Sequence, residues 1–169
     1  MACITSVTYR VNVNWIQGEV FEGGKGLKQG VPLSPLMFVL AMEYLTRLMN
    51  IAGEEPHFQF HPSSLQFKQN HLMLADNVII FSKAHLSTSQ IIKSTLEKFY
   101  QVTGLKANPE KSQIVCGGCN SHLQQQWLET TGYKEGCLPT RYLGVPITAS
   151  KLSQMECHTL VEKIIEQMK

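Results

Sequence analysis

The chain has 169 residues, 43% of them hydrophobic and 17% charged, with a formal charge of +2. That length suits one domain, and that balance supplies a core and excludes wholesale disorder. The mildly basic sum permits nucleic-acid contact but lacks the strongly basic, clustered footprint that would indicate it. Of the 13 acidic residues twelve are glutamates, which leaves Asp76 as the sole aspartate. Cysteines stand at positions 3, 116, 119, 137 and 157. The opening MACITSVTYR lacks the basic segment and apolar core of a signal peptide. The longest apolar run, Leu36 to Met42, is far below the ~20 residues of a membrane span. The expectation is a soluble intracellular protein, nuclear or cytoplasmic, with no membrane partner and with reduced thiols.

In chain order, SVTYRVNVNWIQGEVFEGG alternates β-formers with polar residues about Gln17-Gly18 and predicts a two-stranded hairpin. GLKQGVPLSP follows as a structured loop marked by Gly26, Gly30, Pro32 and Pro35. From Leu36 to Asn50 the pattern is helical, with Glu43, Thr46, Arg47 and Asn50 as a narrow polar stripe; such a helix is expected to be mostly buried. EEPHFQFHPSSLQF reads as loop with a short strand. Leu72 to Ser82 reads as a second hairpin. Ser87 and Gln90 form a capping box for a helix carrying Ile91, Ile92, Leu96, Phe99 and Val102, ended by Gly104. A strand is expected around Gln113 to Cys116, a helix from Ser121 to Gly132, and β structure over TRYLGVPIT. A last helix opens with Ser153 and Glu156 and carries Cys157, Leu160, Val161, Ile164, Ile165 and Met168 on one open apolar stripe.

The stretch HLMLADNVIIF sets one acid between two apolar runs. Asp76-Asn77 favours turn geometry, so an ordinary hairpin turn accounts for it. A metal site is the sharper alternative. Mg²⁺ takes oxygen ligands from one or two carboxylates plus substrate phosphates, and a two-metal site with ions about 4 Å apart needs several convergent carboxylates. Asn77 offers only a neutral amide oxygen, so Asp76 can contribute to such a site but not make one alone.

Cys116-Gly117-Gly118-Cys119 with His122 falls short of a zinc set, because Cys137, Cys157 and His158 complete it at no recognised spacing. These cysteines read as ordinary half-buried thiols. A redox pair would sit at a helix start after a strand within a β-α-β unit, and the glycines here read as loop. GGKGLKQG lacks the spacing of a nucleotide-binding loop. The six histidines, at 57, 61, 71, 85, 122 and 158, show no metal spacing and read as surface or satisfied side chains. No serine stands in a G-x-S-x-G elbow.

The order of four segments is more specific than any one of them. KGLKQGVPLSPLMFVLAMEYLTRLM, HLMLADNVIIFSK, GLKANPEKSQIV and RYLGVPIT together resemble the reverse transcriptase of LINE-type (non-LTR) retrotransposons, especially those of plants. The resemblance covers residues 1–165, read as one partial reverse transcriptase domain, with 166–169 as a cut helix end. It implies an α+β fold, the palm of a right-hand polymerase with an antiparallel sheet backed by helices, incomplete at both ends.

By that resemblance Lys28, Gln29 and Gly30 belong to the loop that lies against template and nucleotide, and Pro32 to Pro35 lead it into the helix. Asp76 stands at the first aspartate of the catalytic hairpin, a ligand of the family's Mg²⁺ or Mn²⁺. Lys111 and Ser112 match a Lys-Ser pair, and Tyr142, Leu143 and Gly144 match the segment that grips the primer. RNA template, DNA primer and the remainder of a retroelement polyprotein are the implied partners.

Three departures bear on activity. The family's earliest catalytic aspartate has no counterpart here, its loop aspartate is Val31, and its second hairpin aspartate is Asn77. The expectation is an inactive polymerase fragment. The alternative is a non-catalytic RNA- or DNA-binding module using Lys25, Lys28, Lys106 and Lys111, or a structural remnant.

Overall fold

A computed structural model describes residues 8–24, 30, 32–142, 145–148, 157–158, 161–162 and 165. The chain divides into two compact units, Met1–Lys83 with Ile91–Lys106, and Ala84–Gln90 with Ala107–Lys169. Among the described residues the strands pair as four two-stranded ladders rather than one continuous sheet.

In the first unit, β1 (Thr8–Val13) and β2 (Ile16–Glu22) form an antiparallel hairpin. Its turn is Asn14-Trp15, with φ of 50° and 68°, three residues before the expected Gln17-Gly18. Positive φ at both loop positions is the geometry that matches strand twist, and asparagine enters it more readily than most residues. Gly18 instead lies beside the register shift between Arg10 and Asn12, where a Cβ would stand 3.2 Å from the Val11 carbonyl oxygen.

Helix α1 spans Leu33–Glu54, longer than the expected Leu36 to Asn50. Its start accepts Pro32 and Pro35 because the first-turn N–H groups have no intrahelical partner. It ends where Glu55 turns extended at ψ 132° ahead of Pro56, the conformation a following proline enforces. Burial is narrower than the sequence pattern implied. Leu45, Met49 and Ala52 are buried, whereas Leu36, Val39, Leu40 and Ile51 are more than half exposed. These four lie at helical spacing with Glu43 and Arg47, which form a 3.1 Å ion pair, so one outward face carries both. By length and composition α1 could cross a membrane. Its middle carries the Glu43–Arg47 ion pair, and Leu45 and Met49 seat one face of it in the unit's core.

No strand lies between α1 and residue 71; the segment holds a single 3-10 turn, Pro62–Ser64, capped by His61 Nδ1 accepting from the Ser63 N–H. The hairpin of β3 (His71–Leu74) and β4 (Asn77–Ile80) follows. Helix α2 is Leu86–Thr103, and the division between the two units falls within it, before Ile91. It starts ahead of the expected capping box: His85 Nδ1 accepts from the Ser87 N–H at 3.4 Å and contacts the Ser87 hydroxyl at 2.8 Å. Its end is the expected one, with the Gly104 N–H bonded to the Tyr100 carbonyl at 2.8 Å.

Leu45 and Met49 of α1 and Phe99 of α2 are the buried centre of the first unit, and Met42, Tyr44, Leu48, Met73, Val78, Ile80 and Leu96 pack around them. Gly53 lets the following segment close on the helix. A Cβ there would lie 3.0 Å from the Phe60 ring and 3.1 Å from Asn70 Nδ2, so only glycine admits both against the helix.

In the second unit, β5 (Gln113–Ile114) pairs in parallel with β6 (Lys134–Glu135), and helix α3 (Ser121–Thr131) is the crossover between them. Parallel strands require such a crossover. The cap of α3 is Asn120, one residue before the expected start, its Oδ1 accepting from the Leu123 N–H at 2.8 Å. Trp127 is its buried residue, and the indole Nε1–H donates to no partner among the described residues. An ion pair of Lys134 with Glu110 ties β6 to the turn before β5.

The last ladder is β7 (Thr140–Tyr142) antiparallel to β8 (Val145–Ile147). Residues 157–158, 161–162 and 165 are helical, in agreement with the expected last helix; Leu160, Ile164 and Met168 of its stripe lie outside the described residues.

Met49 is fully buried at the centre of the first unit. Met49→Ala is expected to lower stability by about 3 kcal/mol, the cost of lost burial plus the residual cavity, measured by urea denaturation of the two chains.

Candidate functional site

The site is the tip of the β3–β4 hairpin, and its geometry follows from a two-residue period. The ladder pairs His71 with Ile80, Leu72 with Ile79, Met73 with Val78 and Leu74 with Asn77. Met73, Val78 and Ile80 point into the core, while Leu72 and Leu74 on the other face are more than half exposed. The hairpin is thus buried on one face rather than enclosed. Leu74 and Asn77 are the last pair, so Ala75-Asp76 is the whole loop, and both Asp76 and Asn77 are exposed.

The loop stores backbone strain. Ala75 has φ +52°, whereas Asp76 is not left-handed, the primed turn whose first position favours glycine. A Cβ at that position costs roughly 1 kcal/mol. The flanking strands hold the turn regardless, because a slip by one residue would turn Met73, Val78 and Ile80 out of the core.

A buried clasp anchors the other end of the hairpin. Asn70 Nδ2 donates to the Met49 carbonyl of α1 at 2.7 Å, which fixes the amide so that Oδ1 faces His71 Nδ1 at 2.6 Å. An amide oxygen only accepts, so Nδ1 carries the hydrogen and the ring is the neutral Nδ1–H tautomer. Burial holds the His71 pKa below its ordinary value of 6.5. The Gln69 amide donates to the His71 carbonyl at 2.5 Å, and the Phe81 N–H to the Asn70 carbonyl at 2.9 Å, extending the ladder beyond β3. His71 is one of the satisfied histidines expected from sequence, but the clasp itself was not legible: a polar pair ahead of an apolar strand does not reveal a helix carbonyl 21 positions earlier.

Asn77 and Gly30 share the first unit with Asp76; Gly30 is left-handed at φ +81°. Lys28 and Gln29 lie outside the described residues, as do Leu143 and Gly144. Lys111 and Tyr142 belong to the second unit. Lys111 is exposed in a turn built on Asn108, whose Oδ1 accepts from the Glu110 N–H at 2.9 Å and whose carbonyl accepts from Lys111 and Ser112. Tyr142 is half-buried and pairs with Val145 at the closed end of β7–β8. The donor set at the tip is one carboxylate and one carboxamide. Among the described residues no three His, Cys, Asp or Glu side chains converge to hold a metal.

Among the described residues a helix that opens behind Pro32, a strained hairpin with the sole aspartate at its tip, a Lys-Ser turn and the short β7–β8 ladder follow one another along this chain. The chain is a member of the family described as reverse transcriptase (RNA-dependent DNA polymerase), whose match covers residues 1–147. It is similar to the retrovirus-related Pol polyprotein from type-2 retrotransposable element R2DM of Drosophila melanogaster, 28% identical over 148 residues. The match covers 78% of this chain and 13% of that polyprotein, so the chain spans a small part of this relative's length. No solved structure matches the chain.

Replacing Ala75 by glycine removes the strain at φ +52° while adding freedom to the unfolded chain; Ala75→Gly is expected to raise stability by up to about 1 kcal/mol, seen as a higher Tm. The lowered pKa of His71 also has a sign. Below pH 6.5 the unfolded chain takes up the proton before the folded one, so this part of the stability falls as pH drops from 6.5 through the folded value, and is complete above 6.5. Urea titrations across that range should show the slope in the parent chain and its loss in His71→Gln.

Proposed function

We propose that this chain is the palm segment of a non-LTR retroelement reverse transcriptase in which the catalytic hairpin persists and catalysis does not. The family match supports the lineage, and the element named by the Drosophila relative supports the non-LTR class. The palm reading rests on the hairpin itself: apolar strands anchored in a helix-backed core present Asp76 on a rigid tip, as a metal-dependent polymerase requires.

The observation that carries the loss of catalysis is the tip's donor set. Template-directed nucleotidyl transfer uses two divalent metals, Mg²⁺ or Mn²⁺, that activate the primer hydroxyl and stabilise the leaving pyrophosphate. Asp76 supplies one carboxylate and Asn77 a neutral amide where the family has its second aspartate, in a chain whose sequence holds no other aspartate. These residues do not fit the metal pair. Each few kcal/mol of lost transition-state stabilisation removes orders of magnitude in rate.

The remaining role is contact with RNA template and DNA primer. Lys28, Gln29 and Gly30 of the loop, Lys111, and the Tyr142, Leu143 and Gly144 segment are the residues proposed for it, within an intracellular polyprotein that supplies the rest of the polymerase.

Primer extension on an RNA template with Mg²⁺ or Mn²⁺ tests the reading. No product is expected from the parent chain, from Asp76→Ala or from Asn77→Asp. Extension by the parent chain that disappears in Asp76→Ala overturns it, since Asp76 would then hold a productive metal.

A further inference from the structure

In the second unit Cys116-Gly117-Gly118-Cys119 lies in a loop, as its glycines indicated, and that loop joins β5 to α3. β5 ends at Ile114, Asn120 caps α3, and β6 returns parallel to β5, so the two cysteines occupy the strand-to-helix turn of a β-α-β unit. Gly118 is left-handed at φ +71°, a conformation glycine adopts without penalty, and it folds the turn back on itself. The two cysteines stand three residues apart in that turn and are unbridged.

Both cysteines are half-buried. Burial first, then the Cys119 thiol and the Glu135 carboxylate, push the Cys116 thiol up to about 11. A thiol held protonated is a poor metal ligand, and it leaves the reduced pair without the thiolate stabilisation that makes some dithiols strongly oxidising. Among the described residues no third His, Cys, Asp or Glu joins the pair to hold a metal, which leaves thiol–disulfide chemistry as what the turn can do.

We propose that Cys116 and Cys119 are a reversible dithiol–disulfide couple that exchanges with small-molecule disulfides of the glutathione class. Cys116 is held as a thiol, so Cys119 attacks first. Its thiolate bonds to one sulfur of glutathione disulfide, the S–S bond breaks, and one glutathione leaves and takes up a proton. Cys116 then gives its proton to solvent and attacks the Cys119 sulfur, expelling the second glutathione, which is protonated in turn. Two electrons pass from the protein pair to glutathione disulfide, and the two thiol protons end on two glutathione molecules.

The test equilibrates the full chain with an equimolar mixture of reduced and oxidised glutathione, quenches in acid, alkylates free thiols and reads the cysteine peptides by mass spectrometry. The Cys116–Cys119 peptide is expected to be mostly unalkylated and short of two hydrogens. The same mixture in denaturant should close at least roughly tenfold less of the pair, because the folded turn presents the thiols to each other. Cys116→Ser should trap glutathione on Cys119, whereas Cys119→Ser should leave Cys116 largely free. A pair that stays alkylated in the folded chain, or that closes equally in denaturant, overturns the proposal without reference to either variant.

Discussion

The packing of one hairpin face against Leu45, Met49 and Phe99 is the constraint on which the first unit depends. Side chains alternate across a strand, so seating Met73, Val78 and Ile80 inward fixes the register and sets Ala75-Asp76 as the loop. The position of the sole aspartate is therefore a consequence of hydrophobic packing two to four residues away. The same packing holds Ala75 left-handed, a strain that an isolated two-stranded hairpin would relax.

The clasp at the opposite end works by a different force. Asn70 reaches the backbone of α1 only because Gly53 carries no side chain, and its amide then dictates which nitrogen of His71 bears the hydrogen. A buried polar pair is costly unless every partner is satisfied; here the helix carbonyl, the amide and the imidazole satisfy each other in series. Apolar packing near the tip and polar pinning at the base together leave the hairpin little freedom. That rigidity suits a metal-bearing loop, and it persists although the tip carries one carboxylate and one amide.

Among the described residues, backbone pairing organises the second unit, with Trp127 its buried aromatic side chain. Its parallel β5–β6 ladder is two residue pairs long, and Asn120, Gly132 and the Lys134–Glu110 ion pair fasten α3 and the flanking turns. The thiol pair sits in the loop that joins β5 to α3, where Gly118 is left-handed.

Periodicity and turn chemistry determined much of this protein in advance. The helix through Leu45 and Met49, the hairpin about Asp76, the stop at Gly104 and the order of motifs that marks the reverse transcriptase family are all local signals. So is the neutral Asn77 beside the sole aspartate, which needs no coordinates to read. Other features depended on residues distant in sequence. Asn14-Trp15 rather than Gln17-Gly18 makes the first turn because cross-strand register places it there. Leu36, Leu40 and Ile51 stay exposed because packing claimed only one face of α1, and hydropathy does not say which face. The Asn70–His71 clasp and the β-α-β setting of the thiol pair required the fold, since a helix carbonyl and a parallel strand are brought to those residues only by tertiary structure.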